Sequence, residues 1–224
     1  TVLAWEAPEF VAGVIVHPVV GQHFLQSIAV EVGGNDIFGE MLPSDAFLSE
    51  SRLRRRYDKD TREYENDDPL RELITALNGP RSQARAYIDA HVDKASVINT
   101  IAVASVIQHQ DFGLKNYDLA LNEQGLWEIY PTDFDLTFGR RPELNPCGSL
   151  CDRVYIGGAF EHPGQPLFTA FWFDPELAGL IRQRIRTLAE EELRPDLIGP
   201  RVIELRDLIT PESDIDRSIW GTMG

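Results

Sequence analysis

The sequence predicts an α+β fold, strand-rich up to residue 64 and mainly helical from residue 65 to 224, and three observations carry that expectation. Phe10 to Val20 is mostly apolar and β-branched, and Phe24 to Val32 alternates before Gly33-Gly34-Asn35-Asp36, a turn composition that closes a hairpin onto Ile37-Phe38. From Leu70 onward the apolar spacing changes to the 3.6-residue period of a helix. Between the two patterns lies the polar, acidic stretch Glu63 to Asp68, which reads as a connector. The expected organisation is thus a β-rich small lobe over residues 1–64 and a helical large lobe over 65–224.

In chain order, the glycines at 33, 34 and 39 lack the strand-to-helix setting of a phosphate-cradling loop and read as hairpin turn. Ser51 to Arg56 carries four arginines, either a solvated helix end or a contact for phosphate or an acidic substrate. Leu70, Leu73, Ile74 and Leu77 predict a helix that Asn78-Gly79-Pro80 terminates. A second helix fits Ser82 to Asp89. A third fits Asp93 to about Ile107, with Asp93 as N-cap and an apolar face broad enough to make it central. Tyr117 to Leu121 and Leu126 to Tyr130, joined by Asn-Glu-Gln-Gly, form a hairpin. The run 139–166, rich in Gly, Pro and Arg, reads as a long functional loop. A helix then starts at Asp174-Pro175-Glu176 and runs to about Leu193; Val202 to Ile209 is expected to pack against it as an antiparallel partner.

Composition narrows the function classes. The net charge is −15, from 21 Lys and Arg against 36 Asp and Glu, and it repels nucleic-acid phosphates and anionic membranes. No apolar run reaches the length of a membrane span. The chain starts at Thr1 with neither initiator Met nor signal peptide, and is expected to be a processed or excised piece of a longer protein. Cys147 and Cys151 are compatible with unlinked thiols, a short-loop disulfide or half of a zinc site.

Residues 109–139 hold the densest set of chemically capable side chains. Asp111 and Asn116 stand in the frame His109-x-Asp111-x-x-x-x-Asn116, and an Asp-Phe pair opens at Asp133 after the intervening hairpin. This is the order that phosphoryl transfer by a kinase uses: one Asp to orient the acceptor hydroxyl, an Asn on a metal, a later Asp on the metals. Asp111 would accept the hydroxyl proton, Lys115 neutralise the transferring phosphate, and Asn116 and Asp133 supply hard oxygen ligands, with Asp135 on a second metal or on Arg140 or Arg141. Trp127 reads as a core residue of the hairpin, and His109 as structural. The same residues also spell Asp133-x-Asp135-x-Thr137, the shape of an aspartyl-phosphate phosphatase site. That enzyme needs a basic residue, usually Lys, and a further acidic pair downstream, whereas the lysines at 59, 94 and 115 all lie upstream.

Asp111 to Asn116-Tyr-Asp-Leu, then Leu126-Trp-Glu-Ile-Tyr-Pro-Thr-Asp133-Phe-Asp135-Leu-Thr-Phe-Gly139, and the closing Asp216-Arg-Ser-Ile-Trp220-Gly together resemble the spore coat protein H (CotH) kinase family. The resemblance covers residues 25 to 221. It implies an atypical protein-kinase-like, two-lobed fold that uses ATP and Mg²⁺ or Mn²⁺ to phosphorylate Ser or Thr of secreted or coat proteins, at the cell or spore surface. It puts Asp111 on the catalytic Asp, Asn116 and Asp133 on the metal-binding positions, and Trp127 on an aromatic of the site. Lys59 is the candidate nucleotide contact. Thr132 stands where the family has Trp, and the small-lobe signature is replaced by Gly39-Glu-Met. Those departures keep a second expectation in play, a kinase-like coat or adhesion module without catalysis.

Overall fold

A computed structural model describes residues 28–32 (backbone), 41–59, 61–109, 112, 116–134, 137–138 and 165–221. Its elements are β1 (Ile28–Val32), a 3₁₀ turn (Pro43–Phe47), α1 (Glu50–Arg56), β2 (Tyr57–Lys59), α2 (Asp68–Leu77), α3 (Arg81–His91) and α4 (Lys94–Val106). There follow β3 (Tyr117–Leu121), β4 (Trp127–Pro131), α5 (Pro166–Phe173), α6 (Pro175–Thr187), continued by a π-helical turn (Leu188–Glu192), and α7 (Pro195–Trp220). The fold is α+β, mostly helical, with one small antiparallel sheet.

The sheet joins the two halves of the sequence. Its order is β2-β1-β3-β4, all antiparallel, with Val30 facing Lys59 on one side and Leu119 on the other, and Leu119 facing Ile129. Strands from both sides of residue 64 therefore share one ladder. Among the described residues one apolar core follows the same pattern, combining Met41, Leu53 and Tyr57 with Leu73, Ile74, Ile101 and Phe168.

α4 is the platform. Asp93 caps it as expected, its carboxylate accepting from the N–H groups of Ala95 and Ser96 at 2.8 and 3.1 Å. Seven of its residues are buried around most of its circumference, so it packs on both sides, against α6 and β4. Ser96 pins it to the sheet, its hydroxyl accepting from Ile129 N at 3.0 Å and donating to Ile129 O at 3.3 Å.

Two elements differ from expectation. Residues 166–173 form α5, a helix between the end of the expected loop at 166 and the helix expected from Asp174, in a stretch with no assigned element: Pro-Leu-Phe-Thr-Ala-Phe-Trp-Phe is too apolar to show a polar face, and Pro166 at its start sets the helical φ rather than breaking the element. At the other end, Val202 to Ile209 does not pack as a partner of the preceding helix. It belongs to α7, one 26-residue helix with Pro200 and Pro211 inside it and no buried residue. Each proline removes one backbone donor, but the turns of Leu, Ile, Val, Glu and Arg on either side keep helical geometry. Among the described residues no helix is long and apolar enough to cross a membrane.

Candidate active site

The site grows out of the C-terminal end of α4. There the chain turns through Gln108 at a positive φ of 54°, and His109 N donates to Ala104 O at 2.9 Å. Asn116 leads into β3 with φ 65°, and Asp133 leaves β4 with φ 52°. Tyr117 pairs with Pro131, and one step beyond that pair Thr132 N donates to Asn116 O at 2.8 Å. The ladder thereby extends to its open end and sets Asn116 beside the Thr132-Asp133 peptide. The loop after Asp133 closes on the same helix end: Phe138 N donates to Ile107 O at 2.6 Å, and the Thr137 hydroxyl donates to Phe134 O at 3.1 Å.

Of the five described non-glycine residues with positive φ, four (Gln108, Asn116, Asp133 and Phe138) lie in this segment. Asn and Asp enter that region at little cost, whereas Gln and Phe do so only where surrounding contacts enforce it. Such clustering of sparsely populated backbone is a feature of functional sites.

An aromatic base holds the segment in place. Phe112 follows Asp111, Tyr117 follows Asn116 and Phe134 follows Asp133, and all three rings meet in one cluster. His109 lies 5.6 Å from the Phe112 ring and 5.2 Å from the Phe134 ring; Phe168 of α5 lies 5.3 Å from both Phe112 and Tyr117. The Tyr117 hydroxyl donates to Gln165 Oε1 at 2.7 Å, and complete burial raises its pKa. Asp111 and Asn116 thus each have a ring next to them in sequence that is anchored in the core, whereas Phe134, beside Asp133, is partly exposed and rests on His109. These anchors escaped sequence reasoning, although the repeated pairs Asp-Phe, Asn-Tyr and Asp-Phe were the available signal.

Asp133 is exposed, and among the described residues its carboxylate accepts no hydrogen bond. Asn116 is half-buried beside it. Asp111, Lys115 and Asp135 lie outside the described residues. Two other expected residues sit elsewhere. Trp127 is 2 % exposed and opens β4 opposite Leu121, four residues of strand, about 13 Å, from Pro131. It is a core residue of the hairpin, as its sequence context predicts. Lys59 is 4 % exposed, and its ammonium donates to Glu65 O at 2.8 Å, Asn66 O at 3.3 Å and Asp67 Oδ1 at 3.1 Å. Three donors meet three acceptors of its own chain.

The arginine run is settled in part by the same loop. Arg54 donates to Asp67 Oδ2 at 3.1 Å and to Glu65 O at 2.9 Å, and Arg56 pairs with Asp45 at 3.3 Å. Asp45 also accepts from the Tyr57 hydroxyl at 2.8 Å. Burial, then the Asp45 charge, pushes the Tyr57 pKa far up.

The family model described as CotH kinase protein matches residues 34–224, most of the chain. The chain belongs to the CotH kinase family. It is also similar to the inner spore coat protein H of Bacillus subtilis (strain 168), at 31 % identity over 94 residues, which is 41 % of this chain and 26 % of that relative. The matched part thus spans about a quarter of that protein's length.

Proposed function

We propose that this CotH-family domain transfers the γ-phosphoryl group of ATP to a Ser or Thr hydroxyl of a protein, with Mg²⁺ or Mn²⁺ as cofactor. One observation carries the reading: the β3–β4 hairpin sets Asn116 beside the Asp133 backbone at its open end, with the Asp133 carboxylate exposed and unspent. A neutral amide oxygen and a carboxylate are the hard donors that both cations prefer, so the residues fit the group. Asn116, Asp133 and, outside the described residues, Asp135 would hold it. A bound cation would neutralise charge on the phosphates. Asp111 would take the acceptor hydroxyl's proton, and Lys115 would neutralise the transferring phosphate. In this reading the small lobe before residue 64 covers the nucleotide, and a two-lobed, kinase-like arrangement results. The relative is named as an inner spore coat protein; in this reading the substrates are coat-type or secreted proteins and the location is the spore or cell surface.

The second reading is a kinase-like coat or adhesion module without catalysis. The occupied ammonium of Lys59 favours it, because a nucleotide contact there requires that the side chain leave three acceptors. Transfer of labelled γ-phosphate to protein in the presence of Mn²⁺ distinguishes the two. The kinase reading expects incorporation by the wild type and a loss of about 100-fold or more, near 2.7 kcal/mol of barrier, in Asp133→Ala. Equal incorporation by both proteins, or none by the wild type, overturns it.

A further inference from the structure

We infer that a cavity of about 530 Å³ behind α5 is a binding site for a small amphipathic anion, an aryl- or alkyl-carboxylate. It is walled by the α2–α3 turn, by α3, by α5 and by the first residues of α6, with Leu77, Ala84, Ile88, Ala170 and Phe173 as its apolar surface. Its size and its apolar lining with a few polar groups at the rim are those of a small-molecule site. It is not the candidate active site. The face of α5 that packs toward the catalytic segment carries Phe168 against Phe112 and Tyr117, whereas Ala170 and Phe173 line the cavity.

The charge at the rim selects the ligand. Two arginines stand there, and their circumstances differ. Arg85 meets Asp89, Asp174 and Glu176 at 2.9, 2.7 and 2.9 Å, which raises its pKa and consumes its charge. The lining carboxylate, Asp174, is consumed in turn: the N–H of Leu177 and then Arg85 hold its pKa below the usual carboxylate range. Arg81 meets no carboxylate among the described residues. Its guanidinium carbon lies over the Phe173 ring, 5.5 Å from the centroid, a cation–π contact that holds the group at the rim without using its N–H donors on a carboxylate. In a chain of net charge −15, a held guanidinium without a carboxylate beside an apolar cavity matches a ligand with one apolar and one anionic end.

Titration of the full chain with phenylbutyrate, followed by amide chemical shifts, tests the site. Saturable binding is expected, with shifts centred on the α2–α3 turn, α3 and α5. Arg81→Gln, on the exposed rim where folding is not at stake, is expected to weaken binding about tenfold, and the uncharged phenylbutyramide to bind weaker by a similar factor. Ala84→Phe, which fills the cavity, should abolish binding. Non-saturable shifts, shifts centred on α7, or affinities indifferent to both Arg81→Gln and the amide would overturn the assignment.

Discussion

The loop under Lys59 and the open end of the β3–β4 hairpin are both rich in charged and polar side chains, and they treat those side chains in opposite ways. Around Lys59 the polar groups are satisfied internally. Lys59 and Arg54 converge on Asp67, the ammonium also binds two carbonyls, and Asp67 makes no side-chain cap on α2 because its carboxylate is already engaged. At the hairpin end the backbone is held in unusual conformations and the Asp133 carboxylate is presented to solvent. The first arrangement stabilises a fold, and the second leaves a carboxylate available for the metal site proposed above. Residue type alone does not distinguish them; the number of partners each group has does.

The largest expected effect breaks the internal arrangement. Lys59→Met leaves a buried carboxylate with Arg54 alone, and denaturant unfolding should show a loss of about 3 kcal/mol. A loss below about 1 kcal/mol would mean that the pair is not buried in solution. At the hairpin the comparison predicts the reverse: Asp133→Asn, which keeps a residue that tolerates φ 52° and removes an exposed charge with no partner among the described residues, should change stability by no more than about 0.5 kcal/mol.

Smaller effects sharpen the account of how the platform is held. Asp93→Ala removes the cap of α4 and should cost about 1 kcal/mol in the same experiment. Asp174 has a depressed pKa, so its contribution is present above the unfolded carboxylate value and is lost as pH falls through the folded one. Urea midpoints of the wild type should therefore fall toward low acidic pH more steeply than those of Asp174→Asn, and parallel curves would contradict the role given to the Leu177 N–H and Arg85.

Local signals made α2, α3, α4, α6 and the hairpin legible, because each rests on period, cap or turn chemistry that the residues carry themselves. The hairpin also made the site legible, since its two-strand register alone returns Asp133 to Asn116. What stayed hidden depends on long-range pairing or on context. No residue pattern shows that β1 lies between β2 and β3, so a sheet spanning residue 64 was not foreseen. α5 has no polar face to reveal a period, and α7 contains two prolines that read as stops. The buried state of Lys59 was equally invisible, because its acceptors are mostly backbone carbonyls.

The central claim, that the hairpin end is a metal–nucleotide site, is tested most directly by calorimetric titration of ATP with Mn²⁺ into the wild type and Asp133→Ala. The account predicts saturable, metal-dependent heat for the wild type and none for a variant that circular dichroism shows to be folded at the titration temperature. A wild type without heat, or a variant that binds as well as it does, would contradict it.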